Sequence, residues 1–290
     1  IKNYLIKNLQ VTQEDVYEVE GTIGLVSAFE IASIKGFTRH KIPHWTPVLH
    51  PALAHSLEEE PPSMFDVIKQ NEFIVHHPYH SFDLSTQRFI EEASADPKVL
   101  AIKQTLYRTS KDSPLMHSLM RAAESGKQVA VLVEIKARFD EEQNIQWAQQ
   151  LDHFGVHVAY GIPGLKIHTK LTMVVREEES GLKTYCHIGT GNYHPGTAQL
   201  YEDLGLFTCD ETVASDVTDI FNLLTGYAPD QTFEKLIVAP KHMRKQMECY
   251  IKFETNEAKE GRPSRIIAKM NSLEDPVIIQ LLYEASRAGV

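Results

Sequence analysis

The stretch from residue 99 to residue 160 constrains the fold most, because short apolar runs alternate there with segments of helical spacing. Residues 99–106 and 156–160 are strand-like, and residues 128–135 are almost wholly apolar, as in a strand buried on both faces. Residues 114–124 and 139–154 have helical spacing, and a glycine follows each of them closely. The order strand, helix, strand, helix, strand predicts a mostly parallel α/β sheet.

Further elements follow toward the end of the chain. Residues 166–175 and 182–188 predict two strands of a hairpin, and helices are predicted at 212–224 and 241–259. A weak internal repeat pairs the strand and helix that begin at residue 99 with an apolar run at 266–269 and a helix ending at Gly289. This repeat predicts one complete lobe and the opening of a second. Both chain ends look cut, so we expect a piece of a longer protein.

Composition excludes several classes of protein. A formal charge of −10 argues against a general nucleic-acid binder, although one cleft can still be basic. Three distant cysteines disfavour a disulfide framework and a cysteine zinc site, and they fit a reducing compartment. No run of eighteen apolar residues is present to span a bilayer. The fourteen histidines show no zinc-ligand spacing with carboxylates.

The sequence Lys166-Ile-His168-Thr-Lys170 is the sharpest local feature. If these residues lie on a strand, residues 166, 168 and 170 share one face, so two ammonium groups flank one imidazole. Positive neighbours keep an imidazole neutral and nucleophilic, and they place positive charge where a phosphoryl group would sit. The alternative is an ordinary strand face in contact with solvent, and the H-x-K pattern taken alone favours this alternative.

The second predicted strand of the hairpin leads into His187-Ile-Gly-Thr-Gly-Asn192. Pairing of the two strands would bring His187 near His168. The glycine turn, including Asn192, would then offer backbone N–H groups to an anion. A plain tight turn is the alternative.

Two arginines follow predicted strands, Arg108 after 99–107 and Arg138 after 128–135. Ligands of a parallel α/β sheet gather at the carboxyl ends of the strands, so both arginines and Lys103 are expected in one crevice. Guanidinium groups suit phosphate bidentately. Surface ion pairs, such as one between Arg138 and the acids at 140–142, are the alternative.

Six longer segments, in order along the chain, carry a resemblance to a known family. They are HHPYHSF (76–82), AIKQTLYRTSKDSP (101–114), KARFDEEQNIQWA (136–148), GLKIHTKL (164–171), HIGTGNYHPGTAQLYEDLGLFT (187–208) and RIIAKMNSLEDPVIIQLLYEASRAGV (265–290). The chain resembles the histidine-phosphorylated polyphosphate kinases, whose catalytic lobes are phospholipase D-like. The resemblance implies an α/β fold with a mixed sheet flanked by helices. It implies a head-domain remnant with its linker (1–70), a first catalytic domain (71–236) and a truncated second one (237–290).

The resemblance also implies an activity, the reversible transfer of the terminal phosphate of ATP to a polyphosphate chain through a phosphohistidine, with ADP released. His168 matches the phosphorylated histidine, with Lys170 beside it, and His187 matches a second histidine near the site. Tyr201 matches a nucleotide-contacting tyrosine, and we place Lys103 and Asn192 with it. Arg108 and Arg138 match arginines of a magnesium or phosphate site.

The expected partners are ATP, ADP, Mg²⁺ and polyphosphate, with no nucleic acid. A homodimer is expected of the full-length protein, in the cytoplasm or on the inner face of the membrane, and the isolated piece is expected to be inactive. Two alternatives stay open: a phospholipase D-like phosphodiesterase and a non-catalytic polyanion-binding module. The first is disfavoured because Val175 stands seven residues after His168, where the phospholipase D pattern has Asp.

Overall fold

The computed structural model describes residues 2–9, 11–21, 24–55, 60–107, 113–134, 141–162, 164–225, 231–270 and 272–290. Two compact units divide the chain, Ile1–Thr46 and Pro47–Val290. The first contains helices α1 (Lys2–Leu9) and α2 (Ala28–Ser33) and single 3₁₀ turns at Gln13–Asp15, Leu25–Ser27 and Thr38–His40. No described side chain of this unit is buried.

The second unit contains a sheet of seven strands and eight further helices. Its strands are β1 (Phe73–His77), β2 (Val99–Leu106), β3 (Gln128–Val133), β4 (His157–Ala159), β5 (Lys170–Glu178), β6 (Gly181–Gly189) and β7 (Asp203–Thr208). Its helices are α3 (Met64–Gln70), α4 (Arg88–Ala95), α5 (Pro114–Glu124), α6 (Glu141–His153), α7 (Pro195–Ala198), α8 (Glu211–Leu224), α9 (Met243–Lys259) and α10 (Pro276–Ala288). A 3₁₀ turn at Pro51–Leu53 and a π-helical turn at Asp83–Gln87 complete it.

The sheet is mixed, with the strand order β1-β7-β6-β5-β2-β3-β4. Strands β2, β3 and β4 are parallel, whereas β5, β6, β7 and β1 continue the sheet by antiparallel pairing. The mixed α/β fold that the resemblance implies is therefore confirmed, and so is the hairpin, which joins β5 to β6. The mostly parallel sheet predicted from residues 99–160 is wrong for the sheet as a whole, because only β2, β3 and β4, which crossover helices connect, pair in parallel. Helices α5 and α6 make the two crossovers, since parallel neighbours need a long connection.

The sheet has two packed faces, and the alternation of side chains decides which residues belong to each. The first face carries the larger core, whose buried members include Val174, Tyr185, Phe207, Phe65 and Phe89. The second face packs against α8, with Leu171, Met173, Cys186, Val217 and Phe221. The register between β2 and β5 pairs Gln104 with Thr172 and Lys103 with Met173. Because residues paired across a ladder share a face, Lys103 belongs to the second face.

The C-terminal part is a pair of helices, α9 and α10, with a small core of Ile251, Leu281 and Ala285. Asp275 caps α10 by accepting the backbone N–H groups of Val277 and Ile278. The apolar run at 266–269, which the internal repeat pairs with the strand at residue 99, does not form a strand: this segment is irregular and Ile267 is 79% exposed. A strand needs a hydrogen-bonded neighbour, and no described segment pairs with it. None of the helices in the described part of the chain is long and apolar enough to cross a membrane.

The boundary between the compact units lies before the acidic, proline-rich cluster at 58–62 that suggested a linker. Leu53, Met64 and Phe65 are buried in the larger core of the second unit. Residues 47–55 and 60–70 thus pack with the sheet rather than with the first 46 residues. The domain division at residues 70 and 236 concerns family architecture and stays a prediction.

Candidate active site

His168 lies in an irregular segment between β4 and β5, not on a strand as predicted. Strand β5 begins at Lys170, which pairs with Gly189, the last residue of β6. Beyond Gly189 the chain turns away, and the Thr190 N–H instead donates to the carbonyl of Leu204 (2.9 Å). Residues 166–169 therefore pair with no strand of the described residues, and the His168 side chain is exposed to solvent.

Two side chains hold the backbone around His168. The Glu134 carboxylate accepts the Ile167 N–H at 2.6 Å, and Glu134 is itself buried just after the end of β3. The Thr105 hydroxyl donates to the Thr169 carbonyl (2.8 Å) and accepts the Leu171 N–H (2.9 Å). Side-chain bonds thus replace the missing strand partner on both sides of His168, so its backbone is fixed although its ring is exposed.

Asn144 of α6 ties together the two strand ends that meet at this segment. Its Nδ2 donates to the carbonyls of Tyr107 (2.9 Å) and Glu134 (2.8 Å). Asn144 is buried, so both bonds form away from competing water. The carboxyl ends of β2 and β3 are therefore locked next to the chain that carries His168.

Tyr107, Lys166, His168 and Lys170 form one group, which we call the His168 cluster. The His168 ring contacts the Tyr107 ring in an edge arrangement, with centroids 5.4 Å apart. The Lys166 and Lys170 Nζ atoms lie 5.1 and 5.3 Å from the centroid of Tyr107. The Lys170 Nζ also donates to the His168 carbonyl at 2.6 Å. The predicted grouping of the imidazole with two ammonium groups is therefore present, with a tyrosine between them.

Electrostatics in the His168 cluster favour a neutral imidazole. Partial burial lowers the pKa of His168, and the positive charges of Lys170 and Lys166 lower it further. Burial also lowers the pKa of Lys170 to about 8, while the negative charge of Asp203 opposes this shift. At neutral pH the ring thus has a free nitrogen lone pair, and Lys170 is still protonated beside it.

His187 occupies a different environment, on β6 opposite Thr172. It is 3% exposed, its Nδ1 is 2.8 Å from the Tyr193 hydroxyl, and its ring packs on Phe207 with centroids 4.7 Å apart. Burial, with a smaller contribution from His77, lowers its pKa to about 3. No described hydrogen bond or ring contact links His187 to His168, and the expected closeness of their side chains stays a prediction.

The Nε2 atom of His187 has no hydrogen-bond partner in the described part of the chain. A Cβ atom at Gly205 would lie 2.5 Å from this nitrogen, so glycine is needed at that position to make room for the ring. The imidazole is therefore enclosed by the core of the first face. A group enclosed in this way is suited to shaping the site rather than to contacting a substrate.

The turn at 189–192 is tied to the strand that follows it. The Thr190 hydroxyl donates to Asp203 Oδ1 at 2.7 Å, and it accepts the Leu204 N–H at 3.0 Å. A Cβ at Gly191 would lie 2.6 Å from the Asp203 carboxylate, so only glycine fits against that carboxylate. The Oδ1 atom of Asn192 is buried and has no described partner.

Other predicted site residues are placed elsewhere or lie outside the described residues. Lys103 points to the second face of the sheet, where it lines a pocket with Leu132 and Phe221. Lys170 and Thr172 share the opposite face, so the expectation that Lys103 joins the crevice of His168 is wrong. Arg108 and Arg138 lie outside the described residues. Tyr201 is 62% exposed in the turn before β7, two residues from Asp203.

Two family models match the chain in succession. The model of polyphosphate kinase C-terminal domain 1 covers residues 63–230, and that of C-terminal domain 2 covers residues 236–290. The chain belongs to the polyphosphate kinase family. The resemblance inferred from the six segments is thereby confirmed. The His168 segment lies within the first matched domain, and helices α9 and α10 lie within the second.

Individual polyphosphate kinases agree with this assignment. The chain is 48% identical over 312 residues to that of Thermosynechococcus vestitus, and 48% identical over 301 residues to that of Synechocystis. All of this chain is aligned in both cases, against 42% and 41% of the relatives, so the chain spans about two fifths of their length. The crystal structure of polyphosphate kinase from Porphyromonas gingivalis matches 96% of this chain and 45% of its own, with a TM-score of 0.80 and 31% identity.

The described residues do not fit a Mg²⁺ ion held by the protein alone. Mg²⁺ requires an octahedral set of oxygen ligands. No group of three or more His, Cys, Asp or Glu side chains within the described ranges is arranged to hold a metal. Glu134 already accepts a backbone N–H, and Asp203 accepts the Thr190 hydroxyl. The two predicted arginines offer no lone pair to a metal, so they suit phosphate rather than Mg²⁺.

Several groups that shape this candidate site were missed from the sequence. They are Thr105, Tyr107, Glu134, Asn144, Tyr193 and Asp203. Each acts through a contact between residues at least six positions apart, which no local pattern shows. The sequence signal that could have found some of them is their position along the predicted strands. Thr105, Tyr107 and Glu134 stand at or just beyond the carboxyl ends of β2 and β3, where an α/β sheet binds its ligands.

Proposed function

We propose that the full-length protein is a polyphosphate kinase that transfers the terminal phosphoryl group of ATP to polyphosphate through His168. The net reaction is ATP plus polyphosphate(n) giving ADP plus polyphosphate(n+1), and it is reversible. The observation that carries the proposal is the His168 cluster itself, in which an exposed neutral imidazole is flanked by Lys166 and Lys170. Membership of the polyphosphate kinase family supports the choice of substrates.

The reaction divides into two displacements at one phosphorus atom. In the first, an unprotonated nitrogen of His168 attacks the terminal phosphorus of ATP. An N–P bond forms, the bond from that phosphorus to the bridging oxygen breaks, and ADP leaves with the electron pair. In the second, a terminal oxygen of polyphosphate attacks the same phosphorus, and the N–P bond breaks. The histidine returns to its starting state, so atoms and charges balance over one cycle.

The lysines of the cluster supply the electrostatics of both steps. Phosphoryl transfer is accelerated chiefly by positioning and by positive charge at the equatorial oxygens. Lys170 is fixed by its bond to the His168 carbonyl, so its charge needs no reorganisation during the reaction. Removal of one such charge should raise the barrier by about 2–4 kcal/mol. We place Mg²⁺ with the nucleotide phosphates, where it is commonly bound.

The remaining parts of the proposal concern partners. Tyr201 is exposed two residues before Asp203, which suits it to contact a nucleotide, and we propose that the turn containing Asn192 contributes to the same subsite. Arg108 and Arg138 are proposed to contact phosphate. His187 is proposed to support the site indirectly, by packing within the core and without contacting a substrate. We further propose a homodimer in the cytoplasm or on the inner face of the membrane, and little synthesis by residues 1–290 alone.

The test is to incubate the full-length protein with ATP labelled in its terminal phosphate and to map the labelled residue. We expect an acid-labile, base-stable label on His168 that is discharged to ADP or to polyphosphate. Cleavage of a phosphodiester without ADP release would instead identify a phospholipase D-like enzyme. Binding of polyphosphate with no phosphoenzyme at all would identify a polyanion-binding module. Either result contradicts the proposal.

A further inference from the structure

Tyr107 is the shared contact surface of the His168 cluster. Its ring meets the edge of the His168 ring, and both flanking ammonium groups lie within 5.3 Å of its centroid. Its own position is set by Asn144, which donates to its carbonyl at 2.9 Å. One aromatic ring just beyond the end of β2 thus neighbours two groups from the segment before β5 and a third from the first residue of β5.

No acidic side chain of the described residues contacts the ammonium group of either lysine. Neither Lys166 nor Lys170 forms an ion pair with a carboxylate of the described residues. Asp203 acts on Lys170 only through its field, and Glu134 is used by the Ile167 N–H. Lys170 is only 4% exposed, so water does little to solvate it. The ring of Tyr107 is therefore a principal stabilising neighbour of both ammonium groups.

We propose that Tyr107 is a positioning residue for phosphoryl transfer, whose ring holds the Lys166 and Lys170 ammonium groups beside His168 while leaving their charge available to phosphate. The inference rests on the proposed function for the reaction that it serves. Tyr107 does not contact the reacting phosphorus in this role. It acts through the two lysines and through the edge of the His168 ring.

The choice of an aromatic ring has a physical reason. A carboxylate at this position would also hold two lysines, but it would cancel most of the positive potential offered to an incoming phosphate. It would also favour a protonated His168, which has no lone pair for attack. An aromatic face attracts a cation through its quadrupole and adds no net charge. Tyr107 therefore fixes the lysines without weakening the site for a polyanion.

Three variants of the full-length protein separate these effects: Tyr107→Phe, Tyr107→Leu and Tyr107→Glu. Phosphoenzyme formation from labelled ATP is measured across pH. We expect Tyr107→Phe to keep the rate within about twofold, and Tyr107→Leu to lose about tenfold, as two weakened cation–π contacts predict. The loss should be larger in Tyr107→Glu.

The pH profile distinguishes this role from simple packing. In Tyr107→Leu the alkaline limb, which reports Lys170, should move to lower pH because the charged amine loses its aromatic partner. In Tyr107→Glu both limbs should move to higher pH, because a carboxylate favours the protonated forms of Lys170 and His168. Unshifted limbs in both variants, or a Tyr107→Phe variant as slow as Tyr107→Leu, would overturn the proposal.

A second measurement does not depend on catalysis. The rate at which diethyl pyrocarbonate modifies His168 across pH, followed by peptide mass mapping, gives the pKa of this exposed imidazole. We expect that pKa to rise in Tyr107→Leu, where less positive charge is held beside the ring, and in Tyr107→Glu, and to stay constant in Tyr107→Phe. A constant pKa in all three would reject the role of Tyr107. If the variants show these shifts of the His168 pKa but the wild-type protein never forms a phosphoenzyme, the proposed function is rejected instead.

Discussion

The two histidines of the β5–β6 region have opposite environments. His168 stands outside the sheet, exposed, with two ammonium groups nearby, whereas His187 is enclosed between Tyr193 and Phe207. The pKa of both is lowered, but in His187 burial alone nearly accounts for the effect, and in His168 neighbouring cations add to it. A neutral imidazole is therefore not by itself a sign of a nucleophile. The imidazole must also be accessible to a substrate, and of these two only His168 is exposed.

The largest expected difference between the two is in phosphorylation. His168→Ala should abolish labelling by ATP in the full-length protein, because the attacking nitrogen is removed. His187→Asn, which retains a polar group toward Tyr193, should still label His168 at a reduced rate. His153→Ala, at an exposed position of α6, serves as the matched control and should label normally. A label that persists in His168→Ala would assign the nucleophile to another residue.

Acid should destabilise the protein through His187. Its pKa falls from 6.5 to about 3 on folding, so between these values the unfolded state binds more protons than the folded state. Stability therefore rises with pH across that window, by about 1.4 kcal/mol per pH unit for one proton. His187→Asn should be less stable than wild type at neutral pH but less sensitive to acid.

Thermal midpoints of wild type, His187→Asn and His153→Asn between pH 4 and 7 test this expectation. The His153 control should keep the acid sensitivity of wild type, because its ring is exposed. An equal loss of stability on acidification in all three proteins would show that His187 is protonated without cost in the folded state.

We expect the burial of the Lys170 ammonium group to lower the stability of the fold at neutral pH. Its pKa falls from 10.5 to about 8 in the folded protein, so the unfolded state binds more protons between these values and stability rises with pH there. Below the window the charged amine destabilises the fold by on the order of 3 kcal/mol.

Lys170→Met should therefore raise the thermal midpoint at neutral pH while phosphoenzyme formation falls by at least about a hundredfold. The gain in stability should shrink as the pH approaches 10. Lys166→Met is the control, because Lys166 is exposed and should affect stability little. A Lys170→Met protein that is less stable than wild type at every pH would contradict the assigned cost of burying this amine.

Thr105 holds the backbone on the C-terminal side of His168 through two hydrogen bonds. Thr105→Val removes both at nearly constant shape and leaves a buried carbonyl and N–H unpaired, so we expect a loss of about 1–3 kcal/mol in stability and a slower transfer. Thr105→Ser keeps the hydroxyl and should recover most of the rate. If the serine variant is as impaired as the valine variant, the hydroxyl alone does not restore the site, and the role assigned to its two hydrogen bonds is contradicted.

Lys103 should give the smallest effect. Its side chain lies on the face of the sheet opposite to Lys170. Lys103→Met should therefore leave the labelling of His168 within about twofold of wild type, the range of a surface substitution. Comparison with Lys170→Met under identical conditions tests the assignment of faces. A loss as large as that of Lys170→Met would place Lys103 at the site after all.

The sequence by itself determined the alternation of strands and helices from 99 to 160, the hairpin and the family. Periodicity, proline and glycine positions are local properties, and the six ordered segments need no structure to be matched. Even where an element was found, its end could shift: β5 begins at Lys170 and not at 166, because its partner β6 ends at Gly189. The length of a strand depends on the neighbour that is available for hydrogen bonding.

Only the tertiary structure decided which groups meet. The register of β2 against β5 sends Lys103 away from the site, the packing of Tyr193 and Phe207 encloses His187, and the end of β2 brings Tyr107 to His168. Each of these outcomes depends on strand pairing or on contacts between distant residues. A one-residue change of register would reverse the face of every side chain on a strand without changing the sequence, so local pattern cannot specify the site.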